Sequence, residues 1–141
     1  MHRQVANGAA EGGPPEDPAG ISQSNSGGAW RLILSEPADG ARNMAVDEAI
    51  MRQVTRSDSP PTVRLYSWQG PCVSLGYGQQ GADALARRCE QTGTGLVRRL
   101  TGGRAVLHDL EVTYSVVAPV GLRKELATIA GAYRFLSEAL R

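Results

Sequence analysis

Residues Val97–Asp109 read VRRLTGGRAVLHD. An apolar residue leads into Arg98 and Arg99, a Thr-Gly-Gly turn follows, then Arg104, a short apolar run and His-Asp. Arginine carries a fixed fork of N–H donors that fits phosphate and carboxylate oxygens. Adjacent glycines allow positive φ and let backbone N–H groups close around an anion. The order predicts strands over Leu96–Leu100 and Ala105–His108 on either side of the turn, with an anionic ligand held between them. A plain hairpin whose turn is flanked by exposed arginines is the other reading of the same residues.

Working outward, Glu111–Ala118 (EVTYSVVA) alternates early and becomes uniformly apolar, which predicts a central strand broken by Pro119 to Gly121. Beyond it, Glu125–Arg141 is expected to be helical, with Leu126, Ile129, Tyr133, Leu136 and Leu140 on one side. On the N-terminal side, Ala82–Gln91 predicts a short amphipathic helix closed by Gly93. Thr62–Trp68 (TVRLYSW) and Cys72–Tyr77 (CVSLGY) read as a hairpin through Gly70-Pro71, with Val63 and Leu65 alternating against Arg64 and Tyr66. Ala41–Val54 has helical spacing, with Asn43 as its cap and Met44, Ala45, Ile50, Met51 and Val54 on the apolar face. Asp47, Glu48 and Arg52 fall on the opposite, solvated side. Trp30–Leu34 is the first strand. Residues 1–28, rich in Gly, Pro, Ser, Ala and Asn, are expected to form a disordered leader, and residues 29–141 the N-terminal part of one domain.

Bulk properties narrow the function classes. A net charge of +1 gives no electrostatic footprint for nucleic acid. No apolar run approaches the ~18 residues that would span a bilayer, and the N-terminus lacks a secretory pattern. Cys72 and Cys89 make neither a disulfide framework nor a metal-ligand spacing and suit a reducing compartment, so the expected location is the cytoplasm. The final helix has no stop signal, and few helices are available to cover the second face of the sheet. Both features predict that the chain represents part of a domain.

Three motifs together resemble the lipoate–protein ligase A and octanoyltransferase family, relatives of the biotin ligase catalytic domain. They are Asn43-Met-Ala-Val-Asp-Glu48; Leu65-Tyr-Ser-Trp68 followed by Cys72-Val-Ser-Leu-Gly-Tyr77 and Gln79; and Arg98–Asp109 continued by Thr113-Tyr-Ser115. The resemblance covers Trp30–Arg141, the N-terminal part of the family's domain. It implies an α+β fold, a mostly antiparallel sheet with flanking helices related to class II tRNA synthetases. It also implies transfer of a lipoyl or octanoyl group to a lysine of a lipoyl carrier domain, either the glycine cleavage H protein or a 2-oxoacid dehydrogenase E2. Ligases of the family use lipoate or octanoate with ATP and Mg. Octanoyltransferases take the acyl group from acyl carrier protein or another lipoyl domain and need no ATP.

By the same resemblance, Arg98, Arg99, Gly102, Gly103, Arg104, Ala105, Val106, Leu107 and His108 correspond to ligand-contacting positions, and Trp68, Gly76 and Tyr77 border the acyl pocket. For His108 a structural histidine is an equal alternative, Trp68 and Tyr77 also read as packing, and Gly76 permits close approach of the acyl chain or of another strand. Arg104 stands where ATP-using ligases commonly carry a third glycine, which resembles the octanoyltransferase branch. The family's catalytic lysine and the octanoyltransferase cysteine lie beyond the helix ending at Arg141. Lys124, Cys72 and Cys89 stand in the wrong places, so no catalytic residue is assigned. The leading expectation is a lipoyl- or octanoyl-transfer enzyme represented by an incomplete chain. The alternatives are a non-catalytic acyl- or carrier-binding module and one subunit of a split ligase completed by a second polypeptide. A biotin ligase ranks lowest, because its loop follows a different Gly-Arg-Gly order.

Overall fold

The computed structural model describes residues 28–139 and 141; the expected leader, apart from Gly28, and Leu140 on the final helix lie outside them. Strand β1 (Arg31–Leu34) leads into helix α1 (Gly40–Thr55), and β2 (Thr62–Ser67) and β3 (Cys72–Leu75) follow. Helix α2 (Asp83–Thr92) precedes β4 (Gly95–Arg98), β5 (Val106–His108) and β6 (Val112–Val117). Two 3-10 turns, Val120–Leu122 and Lys124–Ala127, connect to α3 (Ile129–Ala139).

The six strands form two three-stranded sheets, ordered β1-β2-β6 and β4-β3-β5. Each is mixed: β1 with β2 and β3 with β4 run parallel, whereas β2 with β6 and β3 with β5 run antiparallel. The α+β class stands. The expected hairpin of β2 and β3 does not form, nor does the plain hairpin that is the other reading of the glycine turn. β2 and β3 separate into different sheets, and β4 and β5 flank β3 rather than pairing across the glycine turn. A seven-residue connection between β4 and β5 is long enough to cross over β3, and the crossing makes β3 central and buried along its whole length. β6, expected to be central, has β2 on one side and no second strand among the described residues.

Helix α1 is capped by Asp39, whose carboxylate accepts from the Arg42 N–H at 2.7 Å. A cap of this kind contributes about 1 kcal/mol. Asn43, the expected cap, is instead fully buried one turn inside the helix. Its side-chain amide donates to the carbonyls of Ala38 and Ser67 at 3.0 and 3.1 Å. The buried face of α1 runs through Gly40, Asn43, Ile50 and Val54, while Ala45 and Met51 face solvent. Asp47 also departs from the solvated side: it accepts from Arg64 (2.8 Å), Tyr66 (3.1 Å) and Ser115 (2.9 Å). Glu48 does lie outside and pairs with Arg52 one turn on.

The alternation in β2 is inverted relative to hydrophobicity. Thr62, Arg64, Tyr66 and Trp68 are buried and Val63 and Leu65 are half-exposed. Arg64 is 1% exposed and donates to Ser35, Asp47 and Asn43, and its guanidinium lies 4.0 Å from the Tyr66 ring centroid. A guanidinium is buried only when its donors are met and its charge is paired. α1 supplies both conditions, and this decides which face of β2 turns inward.

At the C-terminal end the expected single helix begins later. Lys124–Ala127 is a 3-10 turn, and Thr128 accepts from the Gly131 N–H at 3.1 Å, so α3 starts at Ile129. Gly93 closes α2 in the left-handed conformation, as expected (φ 65°).

Candidate ligand-binding site

The second sheet carries the Arg98–Asp109 segment. Arg99, at the end of β4, turns its guanidinium under the glycine loop. Nη1 donates to the Ser74 carbonyl (2.8 Å) and hydroxyl (3.1 Å), and Nη2 donates to the carbonyls of Gly102 (2.8 Å) and Arg104 (2.7 Å). Arg98 faces the other way, and its Nη1 donates to the carbonyls of Gly76 (2.7 Å), Tyr77 (3.1 Å) and Gln79 (3.0 Å). The two arginines are therefore clamps, one for the 101–104 loop and one for the 76–79 turn.

The clamps set how the loop presents itself. With the Gly102 and Arg104 carbonyls held by Arg99, the N–H groups of Thr101, Gly102, Gly103 and Arg104 donate to no other group among the described residues. Gly103 has φ +93°, open to glycine and strained for other residues. The loop crosses β3 where a β-carbon on Gly76 would collide with the Gly103 carbonyl. The close approach expected at Gly76 is thus to loop backbone. The Tyr77 N–H donates to the Thr101 carbonyl at 2.9 Å and fixes the crossing. Thr101, Gly102, Gly103 and Arg104 are all exposed, and Tyr77 is exposed beside them.

Behind the loop lies a polar chain that is buried at Ser74 and His108 and reaches the surface at Glu111. The Ser74 Oγ is 2.7 Å from His108 Nε2, and His108 Nδ1 is 2.6 Å from Glu111 Oε1. A carboxylate only accepts, so Nδ1 carries the proton that binds Glu111. Ser74 in turn accepts from Arg99. Glu111 also accepts from Thr113 (2.9 Å), whose hydroxyl accepts from Trp68 Nε1 (2.8 Å). Trp68 closes the circuit by stacking on the His108 ring, with centroids 4.0 Å apart and planes 10° off parallel. The hydrogen bond from His108 holds the Glu111 carboxyl below its ordinary range, and the Thr113 hydroxyl adds to this against the effect of partial burial. Burial pushes the Cys72 thiol up, away from the thiolate a nucleophile needs.

Of the candidate residues, Arg98, Arg99, Gly102, Gly103, Arg104, Gly76 and Tyr77 gather at the loop crossing. His108 and Trp68 stand behind it, linked to it through Ser74. Ala105, Val106 and Leu107 form the returning edge, with Val106 and Leu107 exposed. Ser74 and Glu111 are the members sequence reasoning missed. The available signals were a lone hydroxyl inside the apolar run Cys72-Val-Ser-Leu75 and a carboxylate three residues after His108. A separate concavity lined by Glu36, Asp39, Arg42 and Gln69 lies at the start of α1 and shares no residue with the loop.

The sequence model of the lipoyl protein ligase A/B catalytic domain matches residues 39–141, so the chain belongs to that family. Among curated relatives, it is 47% identical over 112 residues to octanoyltransferase LipM of Moorella thermoacetica and 46% identical over 112 residues to that of Kyrpidia tusciae. Each alignment covers 79% of this chain and 41% of the relative, so the chain spans about two fifths of their length. Among solved structures, the bipartite lipoate protein ligase of Thermoplasma acidophilum, described with its E2 lipoyl domain, is 32% identical with a TM-score of 0.60. That match covers 77% of this chain and 42% of the ligase chain. A lipoate–protein ligase A bound with ATP is 36% identical with a TM-score of 0.51, over 62% of this chain and 36% of that one.

Proposed function

We propose that this chain supplies the acyl-donor-binding portion of an enzyme that transfers an octanoyl or lipoyl group to a lysine of a lipoyl carrier domain. The carrying observation is the Thr101–Arg104 loop, whose N–H groups donate to nothing among the described residues while Arg99 holds the Gly102 and Arg104 carbonyls. Such a cradle suits the phosphate of an acyl-adenylate or the oxyanion of an acyl-transfer intermediate. Arg104, exposed at the loop's end, adds a cation for a carrier or pantetheine phosphate. Val106 and Leu107 offer apolar surface next to the cradle for the acyl chain.

Octanoyl transfer without ATP is the favoured chemistry. The curated relatives bear that name, and Arg104 replaces the third loop glycine. The ATP-bound neighbour supports the ligase reading, in which the same amides would hold the nucleotide phosphate and ATP would supply the activated acyl group. The recipient is a lipoyl domain of the E2 or glycine cleavage H type, and the reaction takes place in the cytoplasm. Among the described residues no helix is long and apolar enough to cross a membrane.

The test uses the polypeptide purified from its native source. It is incubated with apo H protein and either octanoyl–acyl carrier protein or octanoate, ATP and Mg, and the H protein is weighed by intact mass spectrometry. Gain of one octanoyl group from the carrier alone is expected. Gain only with ATP reassigns the enzyme as a ligase, and gain under neither condition overturns the reading.

A further inference from the structure

Between Thr101 and Arg104 the chain makes one backbone–backbone hydrogen bond among the described residues, from the Tyr77 N–H to the Thr101 carbonyl. An exposed loop with so little support of its own opens readily unless a side chain holds it. Arg99 is that side chain. Its Nη2 bonds the Gly102 and Arg104 carbonyls from a guanidinium whose Nη1 is seated on the Ser74 carbonyl and hydroxyl. Ser74 and His108 are diagonal neighbours across the antiparallel pair of β3 and β5, because Ser74 pairs with Val106 and Cys72 with His108. The His108 ring is fixed by Ser74 at Nε2, by Glu111 at Nδ1 and by the stacked indole of Trp68. Glu111 Oε1 accepts a second bond from Thr113 on β6, and Thr113 accepts one from Trp68 just past β2. Side chains alone thus tie the loop of the second sheet to two strands of the first.

Satisfaction of buried polar groups accounts for Ser74 and His108, which are 1% and 8% exposed. It does not account for Glu111, whose side chain is 42% exposed and whose carboxylate water would satisfy. What Glu111 does instead is aim the His108 ring at Ser74. We propose that Ser74 and Glu111 are positioning residues of the ligand site: acting through His108 and Arg99, they hold the Thr101–Arg104 N–H groups in the arrangement that receives an oxyanion. The inference rests on the anion cradle proposed above and extends it to two residues behind the loop. Position, not charge, is what Glu111 supplies, so a neutral side chain that still accepts from His108 Nδ1 should replace it.

The complete polypeptide, isotope-labelled at glycine, is titrated with inorganic phosphate while the amide signals of Gly102 and Gly103 are followed by NMR. Glu111→Ala removes the acceptor at a partly exposed position that the fold tolerates, and Glu111→Gln keeps a side-chain oxygen there. Ser74→Ala breaks the other end of the chain, and Glu48→Gln, in the exposed ion pair of α1, is the control. Wild type and control should respond alike at both glycines. Glu111→Ala and Ser74→Ala should bind phosphate roughly tenfold more weakly, and Glu111→Gln within about threefold of wild type. Wild-type affinity in Glu111→Ala overturns the proposal, as do wild-type Gly102 and Gly103 signals that ignore phosphate. Equal losses in the Ala and Gln variants assign Glu111 an effect of charge and overturn it as well. If Ser74→Ala does not fold, the two Glu111 variants decide alone. Octanoyl transfer to apo H protein is measured on the same samples. The expected order of phosphate affinities in a protein that transfers nothing upholds the positioning role and removes the reaction proposed above.

Discussion

The two sheets solve the same problem, burying polar side chains in a small fold, in opposite ways. In β1-β2-β6 the polar groups form a layer between sheet and helix, where Arg64, Asp47, Asn43, Tyr66 and Ser115 satisfy one another and fix α1 on the sheet. In β4-β3-β5 the polar groups run outward from the buried strand to a loop. Glu111, His108, Ser74 and Arg99 end on the carbonyls of Gly102 and Arg104. The first arrangement holds a structure together. The second holds a conformation in place at the surface, where it can meet a ligand.

The largest expected effect lies in the first sheet. Arg64→Met leaves Asp47 with its charge partner gone beneath α1, and loss of one member of a buried pair costs about 3–5 kcal/mol. Urea unfolding followed by circular dichroism should show the midpoint collapse; a change under about 1 kcal/mol would mean that the polar layer is not what joins helix to sheet. Next comes Gly76→Ala. Its β-carbon meets the Gly103 carbonyl, so overpacking of about 1–3 kcal/mol is expected, with amide NMR shifts concentrated at Gly102 and Gly103. Shifts spread evenly over the protein would remove the distinction between loop and core.

Tyr66 gives a smaller effect with a pH signature. Burial first, then the Asp47 charge and hydrogen bond, raise its phenol well above the ordinary 10.0. The folded state thus keeps a proton that the unfolded chain releases, so this contribution is complete below about pH 10 and is lost as pH rises through the folded value. Tyr66→Phe should cost ~1 kcal/mol at neutral pH and reduce the alkaline loss, as read in paired urea melts at neutral and alkaline pH. Glu111 is the smallest and opposite in sign. Its folded carboxyl titrates below the ordinary 4.5, so its contribution is present above that value and lost as pH falls through the depressed one. The side chain is partly exposed, and screening holds the effect below about 1 kcal/mol. Glu111→Gln should flatten the acid limb of stability and leave the alkaline limb untouched.

Local signals were legible where the chain states them directly. The helix at Ala41–Val54, the closure at Gly93 and the glycine loop between two extended segments all follow from nearest-neighbour chemistry. Pairing was not legible. Nothing within TVRLYSW and CVSLGY says that the two strands part, because β2 chooses β6, forty-five residues on at the Trp68–Thr113 bond, and β3 is claimed by β4 and β5. Alternation alone did not say which face of β2 turns inward. Asp47 and Asn43 decide it, because they meet the donors and charge of Arg64 and leave Val63 and Leu65 on the other face. The same long-range pairing explains the site. Arg98 and Arg99 were visible as donors, but the carbonyls they hold lie up to twenty-five residues away.

The crossing at Gly76 has a consequence for how this protein can diversify. Any side chain there collides with the loop backbone, so position 76 offers no neutral path to another residue, and Gly103 opposite it is constrained by its positive φ. Random mutagenesis under selection should leave both positions empty of variants. New ligand preferences would then arise from residues around the cradle, with the cradle inherited unchanged.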